Sequence, residues 1–256
     1  KPLVAQPFPL VVYATGNENL KEESLTAYEI GYTGTFAGKT TVGAAFYIND
    51  TDDNINFTSL PNSFDPYTPT NAPPGWNQRF GPLGPAILGL MAQRGIYLPR
   101  TAFTYKNLGP TRNKGVELSL EHSFSNEVSA FANYSYQGKP KVLDARSDQE
   151  PYPPNELAFP PENRFNLGLS YNGKRFLGNV TLNHSDQSFW SDVLTREYAG
   201  YTDAFNLVNA TIGAKWANGK VTTSIKSTNV LNQDIQQHVF GDILKRTIVG
   251  EVRFQF

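Results

Sequence analysis

Cysteine is absent from all 256 residues, which removes disulfides, thiol nucleophiles and thiolate metal ligands and says little about compartment. Charge of one sign is also scarce. Twenty-two basic side chains against twenty-three acidic ones leave a net charge of −1, so no basic surface argues for nucleic acid. Long apolar runs are missing as well; the longest is a few residues against the roughly 20 that a membrane-spanning helix needs, which excludes a helical membrane protein. A membrane-spanning β-barrel survives that test, because its lipid contacts fall on alternate residues and mean hydropathy can stay as low as the observed −0.41. The opening "KPLVAQPFPL" has neither an apolar signal core nor an initiating Met, and is expected to belong to a fragment or processed chain.

What is present is alternation. The end of the chain, "KRTIVGEVRFQF", places Leu244, Arg246, Ile248, Gly250, Val252, Phe254 and Phe256 on one side and Lys245, Thr247, Val249, Glu251, Arg253 and Gln255 on the other. Period-two patterning of this kind marks a β-strand between unlike surroundings. The same test predicts nine strands, at residues 23–36, 40–51, 103–124, 127–137, 162–172, 175–190, 203–216, 221–231 and 242–256. Their apolar sets include Tyr28, Ile30, Tyr32 and Phe36, then Val116, Leu118, Leu120 and Phe124, then Phe165, Leu167, Leu169 and Tyr171. The residues between them include Glu29, Thr33, Glu117, Ser119, Glu121, Asn133, Asn166 and Ser170. That second set is too hydrophilic for a dry core, so water is expected on its side.

The connections alternate too. "AGK", "SN", "NGK" and "ANGK" are short turns with Gly or Asn where positive φ is wanted. Residues 58–101 and 138–161 are long and hold fourteen of the eighteen prolines, which belong outside the paired interior of a sheet. Short turns on one edge and long loops on the other predict an antiparallel transmembrane β-barrel, all-β in class, with the short edge periplasmic. Tyr136, Tyr171, Trp190 and Trp216 suit an interfacial girdle. Nine strands is an odd number and an open sheet in lipid would leave unpaired edges, so the chain is expected to be part of a larger barrel.

The stretch "GNENLKEESLTAYEIGYTGTF" at 16–36 is similar to the "GNPxLKPExxxxYExG" segment that precedes a barrel strand in TonB-dependent outer-membrane receptors. Here Glu18 and Asn19 stand at and beside the usual first proline, and Glu22 replaces the second. "KNLGPTRNKGVELSLEHSF" at 106–124 resembles the family's "N-x-G-x-x-x-x-x-G-x-E" strand. "STNVLNQDIQQHVFGD" at 227–242 resembles its "N-L-F/L-N-x-x-Y" segment, with Ile235 at the aromatic position. The resemblance implies that the nine strands are the last nine of 22, with the plug domain and TonB box absent from this chain. It implies no enzyme and no cofactor, but uptake of a scarce ligand, such as a ferric siderophore or cobalamin, energised by the TonB complex through the N-terminal part. It also implies outer-membrane lipid as surroundings and Phe256 as the signal read by the barrel-assembly machinery.

Two readings of other classes stand beside it. A passive porin would share the wall, and "NHSDQS" at 183–188 offers His184, Ser185 and Asp186 to an esterase, although strand neighbours point to opposite faces. "NDTDDNINF" offers Asp50, Asp52 and Asn54 at calcium-loop spacing but lacks the Gly and Glu of that loop. His122, His184 and His238 have no ligand spacing, so no resident metal is expected. For ligand contact the loop 58–101 leads, with Tyr67, Trp76, Arg79, Phe80, Arg94 and Tyr97 beside the short apolar run "PAILGLMA", which predicts a helical turn or two. Arginines among aromatics suit an anionic, partly aromatic ligand, and long loops on a rigid wall are where binding concentrates.

Overall fold

The structure, a computed structural model, describes residues 12–60, 63, 65–147, 149–153, 157–191 and 199–255. In chain order the elements are β1 (Val12–Thr15), β2 (Ser24–Phe36), β3 (Thr40–Asp52), β4 (Asn54–Ser59), α1 (Trp76–Phe80), α2 (Gly84–Gln93), β5 (Thr101–Leu108), β6 (Thr111–Ser123), β7 (Val128–Gln137) and β8 (Lys141–Val142). There follow β9 (Asn163–Asn172), β10 (Phe176–Ser185), β11 (Ser188–Trp190), β12 (Gly200–Thr202), β13 (Phe205–Trp216), β14 (Val221–Thr228) and β15 (Thr247–Phe254). They divide into two compact units. The smaller holds the described residues up to Glu23 and Asp53–Leu108; the larger holds Ser24–Asp52 and the described residues from Gly109 onward.

The larger unit is one antiparallel sheet with the order β2-β3-β6-β7-β9-β10-β13-β14-β15, and β8 pairs beside the start of β6. Each of the nine predicted strands has its counterpart along this path. Short turns close the pairs β2–β3, β6–β7, β9–β10 and β13–β14, all at one edge of the sheet. In the first, Ala37 and Gly38 both take positive φ, 48° and 63°, the backbone that lets a tight turn follow the right-handed twist of its strands. Longer segments leave from the other edge.

Register carries the predicted alternation from strand to strand. Ile30 pairs with Phe46, Phe46 with Val116 and Val116 with Tyr136. Leu169 pairs with Ala130 and Val180, and Val180 with Ala210. Paired residues share a face, so the apolar sets of all nine strands merge into one continuous apolar face. Ile30 on it is 73% exposed and Ile212 66%. The intervening residues merge in the same way: Ala45 pairs with Glu117, Ser119 with Asn133, and Asn166 with both Asn133 and Asn183. A sheet with one face unburied and apolar and the other polar has no dry core of its own. It is a partition between an apolar solvent and water.

The boundaries differ from the sequence reading at identifiable places. The predicted strand 103–124 is two strands, β5 and β6, which belong to different sheets. Between them Pro110 has no N–H to give a ladder, and the Gly109 N–H donates instead to the Glu150 carbonyl at 2.6 Å. The predicted strand 175–190 stops at Ser185, and Ser188–Trp190 pairs separately with β12. Trp190 therefore lies off the wall, its Nε1 donating to Thr202 Oγ1 at 3.2 Å, and is not a girdle residue. Tyr136, Tyr171 and Trp216 do lie on the apolar face. The segment after Thr228 leaves the sheet because Asn229 takes φ 55°, and the last strand begins at Thr247 rather than 242.

The smaller unit builds a three-stranded sheet, β1-β5-β4, with β1 parallel to β5. Its buried side chains include Trp76, Leu88, Phe103 and Leu108. The Phe57 and Phe103 rings stack with centroids 5.2 Å apart. Asn107 ties the entering chain down: its Nδ2 donates to the Lys21 and Asp53 carbonyls at 2.9 and 2.8 Å, and its Oδ1 accepts from the Lys21 N–H at 2.7 Å.

Candidate functional site

The six loop residues singled out from sequence all fall in the smaller unit. "PAILGLMA" is the middle of α2, a longer helix than the turn or two predicted, with Pro85 in its first turn where a missing N–H costs nothing. Trp76 is only 4% exposed. Its Nε1 donates to the Gly84 carbonyl at 2.8 Å and its ring lies 4.4 Å from that of Phe80, so both aromatics hold α1 against the start of α2. Arg79 sits 5.9 Å from the Phe80 centroid. Tyr67 is half-buried beneath Arg100, whose guanidinium carbon is 5.9 Å from the ring centroid; burial, then the neighbouring Tyr13, pushes the Tyr67 hydroxyl above its ordinary pKa and Arg100 opposes them. Arg94 caps the end of α2, and Arg94 and Tyr97 are exposed. The loop is therefore a folded platform, with Trp76 and Phe80 in its support and Arg79, Arg94 and Tyr97 on its surface.

A second surface lies on the polar face of the larger unit. Glu29, Glu117, Ser119, Asn133, Arg164 and Asn166 line a hollow of about 550 Å³. Arg164 and the neighbouring Tyr47 were missed in the sequence reading; each follows from parity, since Arg164 immediately precedes the apolar set of β9 and Tyr47 lies between Phe46 and Ile48. The hollow offers carboxylates, amides, hydroxyls and one guanidinium, a surface for hydrogen bonding and hydration with no nucleophile and base in contact.

The alternative chemistries fail on geometry. His184 lies on the apolar face with Val180 and Leu182, and Ser185 on the other face. The Ser185 hydroxyl donates to the Asp186 carbonyl at 3.3 Å. His184 turns to Asn206 Oδ1 at 2.9 Å and Asp186 Oδ1 at 3.2 Å, and stacks on Phe165. The Asp186 carboxylate is held below its ordinary pKa, first by the Asn163 side chain, 2.7 Å away, then by His184 and the Asn163 N–H. Asp50 receives two hydrogen bonds from Arg112, at 2.6 and 2.7 Å, and Asp52 pairs with Arg146. Those carboxylates are neutralised by arginine rather than arranged for calcium. Among the described residues no three His, Asp or Glu side chains converge as a metal site, and no helix is long and apolar enough to cross a membrane, which says nothing of strands.

The model of the TonB-dependent receptor-like β-barrel matches residues 2–232. The chain belongs to that family. Membership makes the two-faced sheet part of an outer-membrane barrel wall. No curated protein matches the sequence. Among solved structures, the FrpB iron transporter from Neisseria meningitidis is similar at 13% identity, with 96% of this chain on 33% of that one and a TM-score of 0.62. The siderophore receptor PirA from Acinetobacter baumannii is similar at 14%, with 95% on 33% and a TM-score of 0.61. The ferric-catecholate import receptor Fiu from E. coli K12 is similar at 15%, with 97% on 30% and a TM-score of 0.60. At these identities the likeness is one of fold. The chain spans about a third of the length of these receptors.

Within the family, the resembling segments acquire structural jobs. Asn229 is fully buried; its Nδ2 donates to the carbonyls of Gln233 and Leu244 at 2.7 and 3.1 Å, and its Oδ1 accepts from the Gln233 N–H at 3.1 Å. Ile235, at the family's aromatic position, is 1% exposed and bridges to Leu244. Together they fold the connection between β14 and β15. Gly115 faces Tyr47 across the ladder, where the phenol lies over the space a Cβ would take. Phe256 lies outside the described residues.

Proposed function

We propose that this chain is the C-terminal part of the wall of an outer-membrane receptor that imports a scarce small ligand, such as a ferric siderophore or cobalamin, with energy from the TonB complex. The observation that carries the reading is the pairing of a continuous apolar face with a continuous polar one in a member of this receptor family. The nine wall strands are then the last nine of a 22-stranded barrel, with the plug and TonB box contributed by sequence outside this chain. Short turns face the periplasm and the folded loop lies on the extracellular side. Arg79, Arg94 and Tyr97 contact the ligand, supported by Tyr67, Trp76 and Phe80; guanidiniums beside aromatics favour an anionic, partly aromatic chelate.

The test is uptake by a receptor-deletion strain carrying the full-length gene, with radiolabelled ferric enterobactin, ferrichrome and cyanocobalamin as probes. Saturable uptake of one probe that disappears on tonB deletion supports the reading. Uptake linear in concentration and indifferent to TonB would make the protein a porin. Saturable uptake that survives Arg79→Ala and Arg94→Ala together at parental affinity would remove those residues from the site.

A further inference from the structure

The apolar face is not uniform. Near the short-turn edge Phe176 pairs with Ala214, Ala214 with Thr223 and Thr223 with Val252, so two small side chains sit in a row bounded by large ones. The next row adds Ile212 and Ile225, paired with each other. The result is a groove of about 570 Å³ floored by Ala214 and Thr223 and walled by Phe176, Ile212 and Ile225. Trp216 stands at the turn end of the same face. Its Nε1 donates to Thr223 Oγ1 at 2.9 Å, which fixes the indole and engages the Thr223 hydroxyl on the groove floor. The groove is thereby left with a largely apolar lining.

Its rim is charged with one sign. Lys174 and Arg175 occupy the β9–β10 turn and Lys220 closes the β13–β14 turn, and all three are exposed. Across Tyr171–Leu182 and Ala210–Lys226, the two hairpins that frame the groove, there are five basic residues and no Asp or Glu. Two are already engaged: Lys215 Nζ donates to Asn172 Oδ1 and the Gly173 carbonyl at 2.6 and 3.0 Å, and Lys226 pairs with Glu251 at 2.7 Å. Lys174, Arg175 and Lys220 remain at the rim. The β6–β7 turn, by contrast, carries Glu127.

We propose that this groove and rim form a site for one anionic glycerophospholipid of the leaflet at the short-turn edge, with an acyl chain along Ala214 and Thr223 and the phosphate against Lys174, Arg175 and Lys220. The proposal rests on the reading of the apolar face as lipid-facing. An acyl chain is the occupant that the apolar lining admits, and a phosphodiester is the charge favoured by three cations that make no ion pair among the described residues. A zwitterionic headgroup carries its own cation and gains less from the rim. Trp216 and Phe176 at the boundary are the amphipathic and apolar rings expected between headgroups and chains.

The complete receptor in mild non-ionic detergent, given equal amounts of dioleoyl phosphatidylglycerol and dioleoyl phosphatidylethanolamine, is read by native mass spectrometry. The parent is expected to retain phosphatidylglycerol at least about fivefold over phosphatidylethanolamine, the order of one cation's attraction to an anionic headgroup. The triple change Lys174→Gln, Arg175→Gln and Lys220→Gln should bring the ratio near one. The corresponding Arg175→Lys, Lys174→Arg and Lys220→Arg variant should keep it, and Ala214→Leu should lower retention of both lipids by filling the groove. Heat-dependent mobility shifts on electrophoresis confirm that each variant is folded. A parental ratio near one, a ratio unmoved by the triple change, or retention unmoved by Ala214→Leu overturns the site. In bilayers of brominated phosphatidylcholine, stronger tryptophan quenching in the parent than in Trp216→Phe tests the facing itself. Absence of that difference overturns the lipid-facing reading, while quenching without headgroup preference overturns only the phospholipid site.

Discussion

Replacing Leu118 by arginine tests the wall at its most sensitive depth. Leu118 lies on the apolar face of β6 between Ala44 and Tyr134, six residues from Phe124 at the short-turn edge. At ~3.4 Å per residue and a tilt of about 40°, that separation lifts it ~16 Å above the rim, close to the middle of an apolar band about 25 Å tall. A guanidinium there is expected to cost about 3 kcal/mol, within the range for arginine at a bilayer midplane. Ser119→Arg moves the same charge one residue along and therefore to the other face. There its neighbours at two residues on either side are Glu117 and Glu121, and its cost is expected to stay below about 1 kcal/mol because the guanidinium remains hydrated. Both variants of the complete receptor would be unfolded by guanidinium chloride in lipid vesicles, following the shift in electrophoretic mobility. Equal losses at the two positions, or a larger loss at Ser119, would refute the assignment of faces.

Two further outcomes follow from loop geometry. Asn229→Ala leaves the Gln233 and Leu244 carbonyls and the Gln233 N–H without their partner, and should destabilise the β14–β15 connection by about 2 to 4 kcal/mol; protease cleavage confined to 229–246 would register it, and unchanged protection would contradict it. Asp186, whose folded pKa lies below the ordinary 3.8, contributes stability that is fully present above that value and is lost as pH falls through the lower, folded one. The parent should therefore exceed Asp186→Asn in stability at pH 6 and converge with it in strong acid, and a difference independent of pH would remove the carboxylate from the account.

Much of the wall was legible because period-two alternation reports solvent directly. Glu29, Glu117 and Asn133 had to face water whichever strands they met, and register then brought Glu117 beside Ala45 and Ser119 beside Asn133. The break at Gly109–Pro110 was less visible. Residues 101–108 have strand character, and nothing local says that Thr101–Leu108 pairs with Val12–Thr15 and Asn54–Ser59 rather than with the wall. Trp76 illustrates the same limit in the candidate site. Its side chain in a loop suggested ligand contact, whereas its burial depends on Gly84 arriving from eight residues away. Arg164 was recoverable from parity alone, but its proximity to Glu29 and Glu117 required the order of strands.

The central claim is that one sheet separates lipid from water, and the absence of cysteine from this chain permits a direct measurement. Single cysteines placed in turn from Val116 to Glu121, in a cysteine-free form of the complete receptor in vesicles, would be exposed to a small charged methanethiosulfonate. Labelling at Glu117, Ser119 and Glu121 with protection at Val116, Leu118 and Leu120 is the expected result, since only the polar face meets water. Uniform labelling across the six positions, or labelling of the opposite set, would contradict the claim.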